Sequence, residues 1–237
     1  MNYNFFPNNN DINNLKIHKI MQFDHHNNND NNSNKNNEED EEIKVILVGE
    51  MGTGKTSLIN TAIGLKFQEK LASTTTNSIM NKTMKVNGKT YSVNLWDTIG
   101  QEKYRSLTKI FLKGSKIVIF VYDITNLESF KELNYWFDCT KEIINEKTVM
   151  GIVGNKSDLF LKEEVKESDA RQLAKEKGFD FALTSAKNST IFCEFLEKLL
   201  KKYLGLEVDE DDDDNTKKKN EKIKIGKDGA KPKKGCC

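Results

Sequence analysis

Cysteines and long apolar runs are both scarce in this sequence, which has four cysteines among 237 residues. Four cysteines in such a chain do not suggest a disulfide framework, and Cys139 and Cys193 fall in apolar helical patterns where we expect buried core residues. No stretch approaches the roughly 18 apolar residues that a membrane span requires, and the amino terminus lacks the apolar core of a signal peptide. The sequence therefore predicts a chain that stays in the cytosol.

A large net charge is also missing, because the acidic stretches and the lysine-rich stretches of the chain offset each other to a formal +1. Nucleic acid is a conceivable partner for the lysine runs, but no interleaved aromatics or groove-reading module accompany them. We therefore expect no nucleic-acid partner. Taken alone, such charge blocks are most often solvated tails.

The chain divides by composition into three regions. Residues 1–42 are rich in asparagine, close with EEDEE and hold too few apolar residues to offset the entropy of ordering, so we expect disorder. Residues 43–203 carry nearly all the large apolar side chains and have the size of a single domain. Residues 204–237 are predicted to be a flexible tail, in which the acidic run Asp209–Asp214 precedes a lysine-rich segment and the ending GCC.

Apolar runs predict six strands, at residues 43–48, 78–86, 90–96, 116–123, 148–155 and 179–183. The first, fourth and fifth are apolar on both faces, as expected of strands covered by helices on each side. Asn87-Gly88 joins the second and third strands and is a strong signal for an antiparallel hairpin.

Helical patterns fall between the strands, at residues 55–64, 102–113, 127–145, 167–177 and 190–203. Alternating strands and helices imply an α/β fold: a six-stranded, mostly parallel sheet with one antiparallel strand and helices on both faces. In such sheets the ligand site lies at the carboxyl ends of the strands.

Residues Gly49 to Thr56 fit the pattern G-x-x-x-x-G-K-[ST], directly after a predicted strand and at the start of a predicted helix. The glycines let backbone N–H groups turn inward around an anion, and the helix amino terminus adds its dipole. Lys55 supplies a compact charge between phosphates, and the Thr56 hydroxyl is a hard oxygen ligand for Mg²⁺. The loop therefore predicts phosphate binding, with Met51 at one of its variable positions.

The sequence NKSD, Asn155 to Asp158, follows the fifth predicted strand and faces the same crevice. In isolation this pattern is more often a surface turn, but its placement favours base recognition. The Asp158 carboxylate can accept hydrogen bonds from N1–H and the N2 amino group of guanine, and a site built for both rejects an analogue lacking them by a factor on the order of 10⁴. TSAK, Thr184 to Lys187, ends the sixth strand and can offer the base the backbone N–H of Ala186.

The sequence WDTIGQE, Trp96 to Glu102, ends the third strand. Asp97 can hold Mg²⁺ through water, Gly100 can present a backbone N–H to a terminal phosphate, and Gln101 can orient an attacking water as the catalytic residue. A polar turn after an edge strand is the alternative interpretation, and it leaves the clustering with the other motifs unexplained.

With these motifs the chain resembles a Ras-superfamily small GTPase, and within that superfamily it is most similar to the Rab family. The resemblance covers residues 43–203 and rests further on GQEKYRS (100–106), FLKGS (111–115), FVYDIT (120–125) and NLESF (126–130). It implies the small G domain of the P-loop NTPase class.

The resemblance also implies roles for single residues. Phe67 would stack on the guanine opposite the stem of Lys156, and the hydroxyl of Thr74 would complete the Mg²⁺ shell in the GTP state, although Thr75 and Thr76 flank it. The expected metal ligands are Thr56, Thr74 and, through water, Asp97. The expected nucleotide-binding residues are Gly49, Gly52, Thr53, Gly54, Lys55, Thr56, Ser57, Phe67, Thr74, Asp97, Gly100, Asn155, Lys156, Asp158, Ser185, Ala186 and Lys187.

The implied function is a GTP/GDP switch that regulates vesicle trafficking, with nucleotide-dependent ordering of the segments around Thr74 and Gly100. No arginine in the candidate loops is placed to stabilise the transition state, so we expect slow intrinsic hydrolysis and an activating protein. The implied partners are an exchange factor, the activating protein, effectors and escort or GDI-type prenyl-binding proteins, and the chain itself is expected to be a monomer. A phosphotransferase of the same loop family is disfavoured because no lid segment or acceptor site is apparent.

Four positions depart from the family pattern. Ile79 replaces an aromatic residue of the first switch strand, and Leu71 stands where Rabs usually carry a tyrosine that covers the phosphates. Ile99 replaces the small alanine of DTAGQ, and Met51 replaces a serine or other modest residue of the loop. Ile99 and Met51 together suggest an alternative, a GTP-binding scaffold with very slow or negligible hydrolysis.

Two terminal cysteines, Cys236 and Cys237, follow the lysine-rich tail and resemble the Rab signal for double geranylgeranylation. Stable anchoring needs two membrane signals, and here two lipid sites are combined with lysines that attract an anionic leaflet. The expected location is the cytoplasmic face of intracellular or plasma membranes, with a cytosolic pool.

Overall fold

The computed structural model describes residues 42–69, 74, 78–98 and 110–206. Its strands are β1 (Glu42–Val48), β2 (Ser78–Val86), β3 (Lys89–Asp97), β4 (Ile117–Asp123), β5 (Val149–Asn155) and β6 (Asp180–Leu183). The helices with assigned bounds are α1 (Lys55–Ala62), α2 (Leu127–Lys131), α3 (Leu133–Lys141), α4 (Glu167–Lys177) and α5 (Thr190–Tyr203), and a 3₁₀ helix covers Ser157–Lys162. All six predicted strands are therefore confirmed.

The strands form one sheet in the order β2-β3-β1-β4-β5-β6. Only β2 is antiparallel to its neighbour, and every other pair is parallel. The hairpin between β2 and β3 turns at Asn87 and Gly88, which have φ of 49° and 79°, as a two-residue turn with two positive φ angles requires. The predicted sheet, mostly parallel with one antiparallel strand, is confirmed.

Two apolar clusters lie on opposite faces of the sheet and hold the helices against it. Side chains of β1 alternate between them, so that Val45 and Leu47 join one cluster and Ile46 and Val48 join the other. The first cluster includes buried residues of α1 and α5, and the second includes those of α3 and α4. Because all seven residues of β4 are buried, the prediction of a strand covered on both faces is confirmed there.

The predicted helix at 127–145 is instead two shorter helices, α2 and α3, and the second ends at Lys141. The apolar pattern continues past that end because Ile143 and Ile144 still pack against the core. They do so from a turn, in which the N–H groups of both residues donate to the Thr140 carbonyl. Periodicity therefore gave the buried face but not the helix boundary.

Several other expectations have mixed outcomes. Cys139 is buried as predicted, whereas Cys193 is only partly buried. Most of the predicted helix at 102–113 lies outside the described residues. Of its described part, residues 110–112 are helical. Within the described ranges no helix is both long and apolar enough to span a bilayer.

Candidate functional site

A cleft of about 440 Å³ opens at the carboxyl ends of the strands. It brings together many residues singled out from the sequence: Gly52, Gly54, Lys55, Thr56, Ser57, Phe67, Thr74, Asn155, Lys156, Asp158, Ala186 and Lys187. Gln68, Glu69, Thr98 and Leu159 also line it and were missed by the sequence reasoning, because no motif contains them as binding positions. Gly49, Thr53, Asp97 and Ser185 are buried beside the lining residues.

The loop between β1 and α1 requires glycine at two places where the backbone passes close to its neighbours. Gly49 has a φ of 146°, and a Cβ there would overlap the Val121 carbonyl of β4. Gly54 has a φ of 91°, and a Cβ there would overlap the Asn155 side-chain amide. Both glycines therefore permit the loop to fold tightly over the ends of β4 and β5.

Lys55 is the buried cation of this loop, with 5% of its surface exposed. Its Nζ donates to the carbonyls of Gly49 at 2.8 Å and Glu50 at 2.9 Å. Burial lowers the pKa of Lys55 to about 8, against the opposing attraction of Asp97 and Glu50. A buried ammonium whose charge is so disfavoured would gain from an anion placed beside it.

A cluster of three side-chain oxygens lies next to Lys55. Thr56 Oγ1 donates to Asp97 Oδ2 at 2.7 Å and lies 2.6 Å from Thr74 Oγ1. Because the single Thr56 proton goes to Asp97, the Thr74 hydroxyl must donate to Thr56. The cluster ties residues from three separate segments of the chain to one point.

The second oxygen of Asp97, Oδ1, is buried and finds no hydrogen-bond partner in the described part of the chain. Burial raises the pKa of Asp97, opposed by the hydrogen bond from Thr56 and by the charge of Lys55. One carboxylate and two hydroxyls are hard oxygen ligands, which fits Mg²⁺ and not a soft metal. Nowhere among the described residues do three His, Cys, Asp or Glu side chains converge.

Asn155, the last residue of β5, connects the two ends of the cleft. Its Nδ2 donates to the Thr53 carbonyl at 2.8 Å, and its Oδ1 accepts from Thr184 Oγ1 at 3.4 Å. Because Asn155 is buried, these bonds hold the glycine loop, β5 and the segment after β6 in one arrangement.

Asp158 is the carboxylate at the other end of the cleft. Its Oδ1 accepts from Ser185 Oγ at 2.6 Å, and its Oδ2 lies 2.8 Å from Lys187 Nζ. Partial burial tends to raise the pKa of Asp158, but the hydrogen bonds from Lys187 and Ser185 outweigh it and lower the pKa. The group is therefore ionised and oriented by its own neighbours.

Two side chains can flank a planar ligand at this end. Phe67 is 36% exposed, and Lys187 Nζ lies 5.9 Å from the centroid of its ring. Lys156 lines the cleft and pairs with Asp123, whose Oδ2 lies 2.5 Å from Lys156 Nζ. Sequence reasoning missed Asp123, although its place at the end of a strand beside β5 was a usable signal.

Some positions named from the sequence are not described. Leu71, Thr75, Thr76, Ile99, Gly100, Gln101 and the terminal Cys236 and Cys237 lie outside the described residues. Met51 lies on the cleft wall and is 53% exposed. Ile79 is 51% exposed and pairs across β2 and β3 with Trp96.

A glycine loop that opens a helix at the carboxyl edge of the sheet defines a P-loop NTPase, and a six-stranded sheet with one antiparallel strand is consistent with the small G domain of that class. A model of the Ras family matches residues 44–205. Among curated proteins, the Ras-related protein Rab5 of Nicotiana tabacum is 38% identical over 160 residues, which span 66% of this chain and 80% of that protein.

Other relatives agree. The Ras-related protein Rab-21 of Geodia cydonium is 38% identical over 161 residues, covering 68% of this chain and 70% of that protein. The Ras-related protein SEC4 of Saccharomyces cerevisiae is 36% identical over 146 residues, covering 62% of this chain and 67% of that protein. The chain therefore belongs to the Ras family, and it is a Rab-like small GTPase, a class that binds guanine nucleotides and acts in vesicle trafficking.

Proposed function

We propose that the cleft binds GTP and GDP with Mg²⁺ and that the chain switches between two states according to the nucleotide. The observation that carries this proposal is that three groups lie along one cleft. They are the buried cation of Lys55, the oxygen cluster of Thr56 and Asp97, and the oriented carboxylate of Asp158. These are the groups that phosphate, a hard metal ion and guanine each require.

At the phosphate end, Lys55 and the backbone N–H groups of Gly52 to Ser57 bind the phosphates, assisted by the amino terminus of α1. Thr56 and Thr74 contribute hydroxyl ligands to Mg²⁺, and Asp97 acts through water. Mg²⁺ held by these residues would neutralise charge on the phosphates. The 2.6 Å separation of the Thr56 and Thr74 hydroxyls supports Thr74 as the switch residue.

At the base end, the Asp158 carboxylate accepts hydrogen bonds from guanine N1–H and the N2 amino group. The Ala186 backbone N–H serves the base, and Phe67 and the stem of Lys156 cover its two faces. The lowered pKa of Asp158 supports this role, because only the ionised group accepts both bonds.

Hydrolysis would use Gln101 to orient the attacking water and the Gly100 N–H to bind the terminal phosphate. Intrinsic turnover would be slow, and an activating protein would supply about 10³ to 10⁵ of acceleration. An exchange factor and effectors would act on the segments near Thr74 and Gly100. The remaining proposed partners are escort or GDI-type prenyl-binding proteins, and the chain acts as a monomer.

Residues 43–203 would form the GTPase domain, with a tail on each side. Geranylgeranyl groups on Cys236 and Cys237 would anchor the carboxyl-terminal tail to the cytoplasmic face of a membrane, leaving a cytosolic pool. A chain ending at Gly235 is expected to be wholly soluble in cells. Persistent membrane association of that chain would contradict the anchor.

Analysis of the nucleotide bound to the purified full-length protein tests the central proposal. We expect bound GDP, whose replacement by GTP is followed by slow hydrolysis that cell extract accelerates. A protein that retains neither guanine nucleotide nor Mg²⁺ would refute the proposal.

A second candidate is a GTP-binding scaffold with very slow or negligible hydrolysis. The exposure of Met51 on the cleft wall favours it, because a large side chain there stands in the path of an activator's residue, and Ile99 would add crowding. Single-turnover GTP cleavage by the protein and by the Met51→Ser, Ile99→Ala double variant tests this candidate. A faster double variant supports the scaffold, and equal rates exclude this cause of slow hydrolysis.

A further inference from the structure

Asp123, the last residue of β4, is a buried carboxylate that holds a residue of the cleft wall without lining the cleft itself. Only 6% of Asp123 is exposed, and its Oδ2 lies 2.5 Å from Lys156 Nζ. The two residues meet because Asp123 is paired with Asn155 across β4 and β5, and Lys156 follows directly.

The Asp123 carboxylate is fixed by more than its ion pair. Its Oδ1 accepts from the Thr125 backbone N–H at 2.9 Å and from Thr125 Oγ1 at 2.8 Å. Its own N–H donates to Ser129 Oγ at 3.0 Å, and its carbonyl accepts from the Asn126 N–H at 3.0 Å. The carboxylate therefore cannot turn away from Lys156 without breaking other hydrogen bonds.

Lys156, the partner of Asp123, has an unusual backbone conformation and a flexible side chain. Its φ of 66° and ψ of 33° lie in the left-handed region, which a residue with a side chain rarely occupies. A lysine stem has four rotatable bonds and many rotamers, whose freedom is lost when the stem is held against a ligand. The ion pair with Asp123 selects one arrangement of the stem before the ligand binds.

We propose that Asp123 is a positioning residue for guanine-nucleotide binding, which rests on the function proposed above. It acts through Lys156: the buried carboxylate holds the ammonium so that the aliphatic stem lies ready along one face of the base. Such preorganisation lowers the ordering cost of binding and slows nucleotide release.

The test measures release of a fluorescent GDP analogue from the full-length protein. We expect Asp123→Asn to accelerate release about tenfold, the size of effect for one immobilised long side chain. Lys156→Met keeps an unbranched stem without the charge and should accelerate release similarly. If Asp123 acts through Lys156, the double variant releases the analogue no faster than the faster single variant.

Asp180 provides a matched control, because Lys198 and Lys202 bond to its partly buried carboxylate at 3.3 and 2.6 Å and it does not line the cleft. Asp180→Asn should lower the melting temperature but leave release unchanged. The proposal is overturned if Asp123→Asn behaves in the same way, or if the effects of Asp123→Asn and Lys156→Met on the release rate multiply.

A second variant covers the case in which Asp123→Asn does not fold. Thr125→Val removes one hydrogen bond from the carboxylate and keeps its charge and its ion pair with Lys156, so we expect faster release, by a smaller factor than for Asp123→Asn. An unchanged rate overturns the proposal. Failure of the unaltered protein to bind the analogue would instead refute the proposed function, which separates the two outcomes.

Discussion

The two ends of the cleft differ in how well neighbouring residues stabilise the charged forms of their ionisable side chains. At the phosphate end, burial lowers the pKa of Lys55 and raises the pKa of Asp97, so both groups are displaced toward neutrality. At the base end, Lys187 and Ser185 lower the pKa of Asp158 and keep it ionised. The charges at the phosphate end thus compensate each other only in part, whereas the neighbours of Asp158 at the base end outweigh its burial.

Because of this difference, we expect the two ends to contribute differently to nucleotide binding. An anion and a divalent cation at the phosphate end would favour the charged forms of Lys55 and Asp97, so binding there changes the protonation of these two groups. The base end is oriented in advance, and its contribution is selectivity. Changes at the base end should therefore alter which nucleotide binds, and changes at the phosphate end should alter how strongly any nucleotide binds.

Asp158→Asn should break the base end with the largest effect. The amide places an N–H donor against the guanine donors, so we expect GDP affinity to fall by a factor on the order of 10⁴. Xanthine carries a carbonyl where guanine has its amino group, and its diphosphate should bind the variant better than GDP. Competition between the two nucleotides measures this inversion.

The control is Asp138→Asn, on the exposed side of α3, which should leave the preference for GDP unchanged. Retained GDP affinity in Asp158→Asn would contradict the role of Asp158 in guanine recognition.

Lys55→Met should weaken guanine and xanthine diphosphates alike, because it acts at the phosphate end. Loss of charge-assisted hydrogen bonds to phosphate should lower affinity by a factor on the order of 10³. At pH 7.5 the free energy of unfolding of the nucleotide-free protein should change by less than about 1 kcal/mol, because relief of the buried charge offsets the lost hydrogen bonds. Calorimetric titration and urea unfolding measure the two quantities. A variant that merely unfolds would argue against this separation of binding from stability.

The lowered pKa of Lys55 also predicts how the stability of the nucleotide-free protein depends on pH. Between the folded pKa of about 8 and the ordinary value of 10.5, the unfolded chain binds a proton that the folded chain does not. Stability attributable to this group therefore rises with pH across that interval, by up to roughly 3 kcal/mol. Urea unfolding at pH 7.5 and 9.5 measures the rise, and Lys55→Met should lack it. Bound GDP should abolish the rise as well, since phosphate favours the charged lysine.

The sequence predicted local features better than contacts between distant segments. The glycine loop and the Asn87-Gly88 hairpin are specified by residues next to one another, so their patterns were sufficient. The pairing of Asp123 with Lys156 depends on β4 and β5 being neighbours in the sheet, which no local pattern states. The end of α3 at Lys141 was missed for a related reason, since Ile143 and Ile144 are partly buried against the core from a turn outside the helix.

Asp97→Asn should have a smaller effect than Asp158→Asn or Lys55→Met, and it distinguishes metal binding from phosphate binding at the phosphate end. Because Asp97 would act on Mg²⁺ through water, its loss should weaken the metal by about 10- to 100-fold and not abolish binding. Release of GDP, followed as Mg²⁺ is titrated, should require correspondingly more metal to reach its slow rate. With excess chelator the variant and the unaltered protein should release GDP at similar rates, because neither then holds the ion. Unequal rates under chelation would mean that Asp97 contributes to phosphate binding or to the loop directly, and the unpartnered Oδ1 would then need another explanation.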